Sequence, residues 1–464
     1  MSALNILIAL FIPTFFGISL IRFFDAGRRH PLSSLLPVGF GLGFGFLTHW
    51  MLFLSIIQID FSRLTVGIPF LIGGFVLIAK TLLKKPSAKG FAASPMEGAP
   101  RPKSIPLVLM NAMLTLYITY ILLFVCVRSV MVPVLEWDAI SWIALKGKIF
   151  FYEKSIFQHA ALPNSAYPLH VNLSMTWIAL NLGHWSETLV KVIFPAYLIA
   201  YCCLHYHISK VYLDRLWSKV SLALLLSAFF FNYHATIAYR DIVMMFYFCG
   251  SILLLLLWHK MKNNNLLVIS SLFLGFASFV KLEGVLYLCI GLSVLSFADI
   301  TKSELKPSRK WLYLLKISII PIIIFLFYYI YKIIIGAKGY MQDHHIAWSA
   351  NIPLRMINLI NGFGEELLLS GNWHIIWFLY ILSLFYLQKN KNTFELILLG
   401  TTVSLYFLTY FLLALTTGLY NFILGIDLSG VLPRILLHVY PLSVFFIAVV
   451  HGKPNQSSQE GPSA

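Results

Sequence analysis

The sequence predicts an all-α, polytopic membrane protein with about 12 or 13 transmembrane helices and with interfacial helices in two long outer loops. Three observations predict this class. Hydrophobic residues make up 59% of the 464 residues and charged residues 11%, whereas a soluble domain carries about 25% charged residues. Blocks of roughly 20 apolar residues match the thickness of bilayer hydrocarbon. Basic residues cluster between these blocks, as they do in cytoplasmic loops.

The basic charge and the cysteines exclude two other classes. The formal net charge is +16, but the lysines and arginines lie between apolar blocks and form no aromatic-interleaved groove, so no nucleic-acid partner is predicted. The five cysteines all lie in apolar segments without a metal-type Cys-x-x-Cys pair. They are interpreted as small buried apolar side chains.

The chain divides into four parts at its polar boundaries. A three-helix membrane extension has helices predicted over 4–24, 35–57 and 66–83, and a linker rich in Pro, Gly, Ala and Ser follows it. The lysines of the linker place it in the cytoplasm. The predicted parts are an N-terminal extension (1–84), a cytoplasmic linker (85–104), a membrane core (105–451) and a polar cytoplasmic tail (452–464).

The core begins with a helix predicted over 105–130 and a long outer loop with an amphipathic stretch at 142–157, which is typical of the membrane interface. Residues 169–207 contain two apolar stretches and must cross an odd number of times, with one piece short, re-entrant or interfacial. A second long outer loop contains the amphipathic run 352–369. Single crossings are predicted over 220–233, 242–258, 266–280, 285–297, 311–335, 373–387, 394–420 and 431–450.

Ionisable residues near membrane depth are costly, so each is a functional candidate. Those of this core fall at the outer ends of helices or in outer loops, as an enzyme acting at that face requires. A transporter would place such groups near the midplane. The candidates are Asp138, Asp241, Lys281, Glu283, Asp343, His344, His345, Arg434 and His438.

Asp138 is the first candidate for catalysis, because a carboxylate after a helix can take a proton from an acceptor hydroxyl. Its structural alternative is a cap for the helix that starts near Ala139. Asp241 has the same alternatives, a cap or a salt bridge beside a functional role. For Lys281 there are two alternatives: it pairs with Glu283, or it binds a phosphate.

Arg434 and His438 share a helix face at a spacing of four residues. A guanidinium there can stabilise a lipid phosphate that gains charge as it leaves, or it can anchor the helix to headgroups. Asp343, His344 and His345 are the residues considered for a metal. They lack the spacing of a zinc site, so no metal is predicted.

Four short segments, taken in order and on one face, resemble the GT-C superfamily of membrane glycosyltransferases, above all the protein O-mannosyltransferase and aminoarabinose-transferase type. The first runs from Glu136 to Trp142 with Lys146 and Lys148, ahead of Tyr167-Pro168-Leu169. The other three are Tyr239-Arg240-Asp241, the run from Gly275 to Gly284, and Pro433 to His438 with Pro441. The resemblance covers about residues 105–450, and the first three helices precede it.

The resemblance implies a role for each matching residue. Asp138 is the catalytic base, with Glu136, Asp241 and Glu283 as supporting acids. Lys281, Arg434 and His438 are the expected ligands of the donor phosphate. The family often has adjacent Asp and Glu in its first loop, whereas Trp137 separates Glu136 from Asp138 here.

The resemblance further implies an inverting transfer of sugar from a polyprenyl-phosphate donor to a hydroxyl of a glycan, lipid or protein. No cofactor is expected, because the lipid-linked sugar is a co-substrate. Besides the sugar donor and the acceptor, membrane lipid is the expected partner. The expected location is a bacterial inner membrane, with the site facing the periplasm or exterior. The alternatives are a transporter or flippase of lipid-linked sugars and a non-catalytic assembly factor of the cell envelope.

Overall fold

The computed structural model describes residues 2–24, 32–83, 105–302, 307–337, 351–386, 393–425 and 431–455. Within these ranges the chain forms 19 α-helices and no named strand, which confirms the all-α class. The first ten are α1 (Ser2–Phe24), α2 (Leu32–Ile56), α3 (Arg63–Leu83), α4 (Ile105–Met131), α5 (Ala144–Glu153), α6 (His170–Leu182), α7 (Ile193–Tyr212), α8 (Arg215–Leu225), α9 (Phe229–His234) and α10 (Asp241–Met261).

The remaining helices complete the core. They are α11 (Asn264–Ser278), α12 (Gly284–Lys302), α13 (Pro307–Ile334), α14 (Ile352–Leu368), α15 (Ile376–Leu384), α16 (Thr393–Thr416), α17 (Leu419–Leu424), α18 (Leu432–Leu437) and α19 (Tyr440–His451). A π-helical turn precedes α5 (Ala139–Ile143), and two 3₁₀ turns flank α6 (Phe157–Ala161 and Leu189–Val192). The two predicted amphipathic stretches are thus helical, as α5 with its preceding turn and as α14.

Helix α10 is the centre of the molecule. Every residue from Asp241 to Trp258 is buried, and α10 packs against α7, α11, α12 and α18. A helix that is apolar on all sides belongs in the interior of a bundle. Helices α1, α3, α4 and α13 instead expose large apolar side chains, among them Leu7, Phe75, Leu116 and Ile323. An exposed apolar surface of this extent is typical of contact with lipid.

In the described ranges, eight helices are long and apolar enough to cross a bilayer: α1, α2, α3, α4, α7, α10, α13 and α16. Three shorter apolar helices accompany them: α11, α12 and α19. The membrane class is therefore supported, whereas the count of 12 or 13 crossings stays a prediction. Over 169–207, the shorter piece is α6, with 13 residues.

Three predicted single crossings are wrong as continuous long helices. The segment 220–233 divides between α8 and α9, and the segment 431–450 divides between α18 and α19. The described part of the segment 373–387 contains only α15, whose nine residues span about 13 Å. The apolar composition continues through each segment, but the helical hydrogen bonding does not.

The three N-terminal helices pack directly on the rest of the chain. Trp177 Nε1 donates to the carbonyl of Ala9 at 2.8 Å, and Tyr247 Oη donates to the carbonyl of Gly41 at 2.8 Å. Glycines make this approach possible. A Cβ on Gly43 would clash with the carbonyl oxygen of Pro13, and one on Gly45 would clash with the Phe276 ring. The glycines of α2 therefore form a packing face.

Candidate functional site

The structure brings together six of the seven residues that the sequence predicts as base, supporting acid or phosphate ligand. Asp138 follows α4, Asp241 begins α10, Lys281 and Glu283 lie between α11 and α12, and Arg434 lies in α18 with His438 directly after it. These positions lie at one end of α10, while Lys260 and Lys262 lie at its other end. Four distant segments thus contribute to one ionic cluster, which we call the Asp241 cluster and define by these six residues.

Asp241 is the hub of the cluster. Its carboxylate is fully buried, and three basic side chains lie within hydrogen-bonding distance of it. Lys281 Nζ lies 3.0 Å from Oδ1, and His438 Nε2 lies 3.1 Å from the same oxygen. Arg434 contacts Oδ2 with Nε at 3.2 Å and with Nη2 at 3.1 Å. Of the alternatives for Asp241, the salt bridge is therefore confirmed.

Asp138 is the more accessible carboxylate of the cluster. Its side chain is 26% exposed, compared with 0% for Asp241. Arg434 Nη1 donates to Asp138 Oδ2 at 2.9 Å, and Trp142 Nε1 lies 3.5 Å from Oδ1. Asp138 stands at the N-terminal end of the π-helical turn, but its side chain makes no capping hydrogen bond. The capping alternative for Asp138 is therefore wrong.

Arg434 joins the two carboxylates. One guanidinium nitrogen faces Asp138 and two face Asp241, while the Tyr239 ring lies 4.5 Å from its Cζ. Burial opposes the charge, but Asp241 and Asp138 outweigh burial and raise the pKa of Arg434 above its usual value. A planar fork with several donors suits this double contact, which a lysine could not reproduce. The headgroup-anchor alternative does not describe this side chain, because its donors face carboxylates.

His438 links the cluster to a buried row of tyrosines. Its Nδ1 lies 2.6 Å from the hydroxyl of Tyr287, which also contacts the hydroxyls of Tyr406 and Tyr410, each at 2.8 Å. Since Asp241 only accepts, we assign the proton of the ring to Nε2 and let Tyr287 donate to Nδ1. Burial lowers the pKa of His438, although the hydrogen bond to Asp241 opposes that shift. The ring is therefore a neutral donor to Asp241.

Lys281 and Glu283 form the remaining pair. Lys281 Nζ lies 3.4 Å from Glu283 Oε1, in addition to its contact with Asp241. Burial alone would raise the pKa of Glu283, but the Lys281 ammonium reverses the shift and holds that pKa below its usual value. The predicted pairing of Lys281 with Glu283 is present. It leaves Lys281 between two carboxylates.

Glu136 is the predicted residue that lies outside the cluster. Tyr233 Oη lies 3.5 Å from its Oε1, and Tyr233 also carries the Arg128 guanidinium 4.9 Å from its ring centroid. Trp137 separates Glu136 from Asp138 in the chain, and the two carboxylates have different partners. The structure therefore gives Glu136 no contact through which to support Asp138.

The residues considered for a metal lie outside the described part of the chain: Asp343, His344 and His345. In the described ranges no three His, Cys, Asp or Glu side chains are grouped so that they could hold a metal ion. The prediction concerning metals stays a prediction.

Several residues of the site were not assigned a role from the sequence. Tyr239 lies against Arg434, Trp142 reaches Asp138, and His234 Nδ1 lies 3.7 Å from Asp241 Oδ2. Tyr239 precedes Asp241 by two residues and Trp142 follows Asp138 by four. Their nearness in sequence to the carboxylates is a signal that could have indicated them. No such signal exists for Tyr287 or Tyr406, which come from distant helices.

Comparison with protein-family models, curated proteins and solved structures gives no match to this chain. The assignment of function therefore depends on the residues of the site.

Proposed function

We propose that this protein is a GT-C-type glycosyltransferase that moves a sugar from a polyprenyl-phosphate donor to a hydroxyl acceptor on the non-cytoplasmic face of a membrane, with inversion. One observation carries the proposal. Four segments far apart in the sequence place three carboxylates, a guanidinium, an ammonium and an imidazole in one connected network at one end of the central helix. A lipid-embedded chain whose role is only to pack has no need of so many buried charges.

The accessible and the buried carboxylate have different roles in this proposal. Asp138 removes the proton from the acceptor hydroxyl. The acceptor oxygen then forms a bond to the anomeric carbon, and the bond from that carbon to the phosphate oxygen breaks. The electron pair of the broken bond leaves with the polyprenyl phosphate. Asp241, which is fully buried, positions Arg434 and His438 and does not contact the substrate.

The location of the site supports the choice of face. Positive residues follow α10 at its opposite end, where Lys260 and Lys262 lie, and lysines and arginines favour the cytoplasmic side. The Asp241 cluster then lies on the other side. Because donor lipids have their headgroups at the membrane surface, a cluster at helix ends can reach the bond that must break.

The test is sugar transfer by the purified full chain in liposomes. A pool of radiolabelled polyprenyl-phosphate sugars is the donor, and a membrane extract supplies acceptors. We expect Asp138→Asn to lower the transfer rate about 10²- to 10⁴-fold, the range that a general base contributes. Asp60→Asn is the matched control, because Asp60 is an exposed aspartate outside the cluster, between α2 and α3, and should transfer at the wild-type rate.

Two results would contradict the proposal. Full transfer by Asp138→Asn would remove Asp138 as the base. Movement of label across the bilayer without covalent attachment to any product would replace the transferase with a flippase of lipid-linked sugars.

A further inference from the structure

Arg240, which immediately precedes the hub of the Asp241 cluster in the chain, is a buried cation. It precedes α10 and is 1% exposed. Its Nη2 donates to Asn172 Oδ1 at 3.0 Å, whereas Nε and Nη1 have no hydrogen-bond partner. In the described part of the chain, no carboxylate forms an ion pair with it. Buried guanidinium groups normally satisfy their donors, so these two nitrogens require an explanation.

Aromatic rings occupy the faces of the Arg240 guanidinium. Its Cζ lies 4.2 Å from the centroid of the Trp142 ring and 5.3 Å from that of the Tyr167 ring. Tyr328 holds the backbone at Tyr167, since its hydroxyl donates to the carbonyl of that residue at 2.8 Å. Contact with a ring face uses the plane of the guanidinium and leaves the N–H groups at its edge to donate.

Lys146 supplies a second basic group to the same region. It is fully buried, and its Nζ donates to the carbonyl of Asn164 at 2.7 Å. It forms no ion pair with a described carboxylate. Burial first, and the charge of Arg240 second, lower the pKa of Lys146 to about 6. Burial also lowers the pKa of His159, with the charges of Lys146 and Arg240 adding to the effect, to about 3.

The Asp241 cluster and the pair of Arg240 and Lys146 therefore differ in the number of hydrogen-bond donors that remain available to an anion. Arg434 and Lys281 already face Asp241, and an arriving phosphate must compete with that carboxylate. Arg240 and Lys146 form no ion pair with a described carboxylate, since Asp138 and Glu283 act on Arg240 only at longer range, and two nitrogens of the Arg240 guanidinium have no hydrogen-bond partner. An anion placed there gains charge-assisted hydrogen bonds and relieves the cost of a buried, uncompensated charge.

We propose that Arg240 and Lys146 form the binding site for the phosphate group of the lipid-linked donor. This inference rests on the proposed function, and it replaces Lys281, Arg434 and His438 as the primary phosphate ligands. Trp142 connects this site to the base, because one ring face meets Arg240 while its Nε1 lies 3.5 Å from Asp138 Oδ1. Arg240 and Asp138 thus contact the same indole, so a donor phosphate on Arg240 is one side chain away from the base.

The test is equilibrium binding of radiolabelled polyprenyl monophosphate to the full chain in nanodiscs of neutral phospholipid. Arg240→Met and Lys146→Met should each weaken binding about 10- to 100-fold, the effect of losing one hydrogen bond between charged groups. Lys148→Met is the matched control. Lys148 lies on the same helix but is half-exposed and pairs with Glu187 at 3.0 Å, so its loss should leave binding unchanged.

Competition with unlabelled compounds shows which kind of phosphate the site binds. Unlabelled polyprenyl phosphate should displace the label, whereas polyprenyl alcohol, inorganic phosphate and phosphatidic acid should not at the same concentration. Displacement by inorganic phosphate with equal affinity would overturn the lipid carrier as the ligand. Displacement by phosphatidic acid would make the site one for bilayer lipid.

Binding needs neither sugar nor acceptor, so its result is separate from that of the transfer assay. Wild-type affinity in both Arg240→Met and Lys146→Met, with a loss in Lys281→Met, would overturn the inference and leave the glycosyltransferase proposal standing. Binding that depends on Arg240 and Lys146 in a protein that transfers no sugar would keep the phosphate site and remove the transferase.

Discussion

Arg240 and Asp241 are neighbours in the chain, are both buried, and have opposite surroundings. Asp241 contacts Arg434, Lys281 and His438 at 3.2 Å or less, and the first two compensate its charge. Arg240 contacts aromatic rings and one amide oxygen, and two of its nitrogens have no partner. Burial alone therefore does not distinguish a charge with a structural role from a charge that binds a ligand. The two are distinguished by the number of oppositely charged side chains that contact them.

The difference has an energetic consequence for the ligand-free protein. Removing one member of a buried, compensated group leaves its partners as uncompensated charges. Removing a buried charge that has no ionic partner relieves a desolvation cost. The charges of the Asp241 cluster are thus compensated without a ligand, whereas in our proposal the charge of Arg240 is compensated only when an anion is bound.

The largest effect is expected for stability. Asp241→Asn should lower the free energy of unfolding by about 3–5 kcal/mol, because Arg434 and Lys281 lose their buried counter-charge. Arg240→Met should change it by less than about 1–2 kcal/mol, since the lost ring contacts are offset by the removal of an unpaired charge. Unfolding of both variants in the same detergent, without added lipid phosphate, measures this. An equal loss for the two variants would remove the distinction between the regions.

A smaller effect is expected when the bridge between the carboxylates is altered. Arg434 contacts Asp138 and Asp241 through different nitrogens, and the compact ammonium of a lysine cannot hold both. Arg434→Lys should lower the maximal transfer rate about 10- to 100-fold and change donor affinity less than threefold. Transfer kinetics with varied donor measure kcat and KM separately. A rise in KM with unchanged kcat would instead make Arg434 a donor ligand.

The pH dependence of donor binding should sharpen the assignment of the phosphate site. Below the Lys146 pKa of about 6, the ammonium is present before the phosphate arrives. Above it, binding must take up a proton, so affinity falls as pH rises from 6 to 8, by up to about tenfold per unit. A sugar phosphodiester donor is itself ionised throughout this range.

The groups around Lys146 do not titrate in the same interval. The pKa of His159 is about 3, and burial lowers the pKa of Arg240 only to about 10. Binding of the phosphodiester donor at pH 6, 7 and 8 measures the slope, and Lys146→Met should bind with an affinity independent of pH. An affinity that rises with pH in the wild type would contradict the role of Lys146.

The smallest effect is expected where a charge pair faces solvent. Lys148 and Glu187 lie 3.0 Å apart, with side chains 45% and 41% exposed. Exposed pairs of this kind contribute about 0–1 kcal/mol, so Lys148→Met should lower the free energy of unfolding by less than about 1 kcal/mol. Unfolding in detergent beside Asp241→Asn measures this. A loss of stability as large as that of Asp241→Asn would show that solvent exposure does not determine how much these ion pairs contribute to stability.

Much of the fold could be predicted from the sequence because lipid imposes a simple constraint. A backbone in hydrocarbon must satisfy its own hydrogen bonds, so long apolar segments form helices. Helix α10 begins one residue before and ends three residues after its predicted range, and α4 ends one residue after its predicted range. Their lengths follow from composition, whatever the neighbouring helices are.

The breaks in the predicted crossings could not be found in this way. Between α8 and α9 the carbonyl of Leu226 accepts from Asn232 Nδ2 at 2.7 Å and from Tyr117 Oη at 3.2 Å. Between α18 and α19 the carbonyl of His438 accepts from the thiol of Cys249 at 2.9 Å. Side chains from other elements satisfy the freed backbone groups there, and the hydropathy of a segment does not predict these contacts.

The sequence by itself determined that this is an all-α chain of membrane composition and that its ionisable residues gather at helix ends. Both follow from the cost of placing polar groups in hydrocarbon, which depends on residue type alone. Only the tertiary structure decided which charge meets which. Arg240 and Asp241 are adjacent in sequence, but different segments of the folded chain pack around each of them. Asp241 therefore meets Arg434, Lys281 and His438, while Arg240 meets Trp142 and Tyr167.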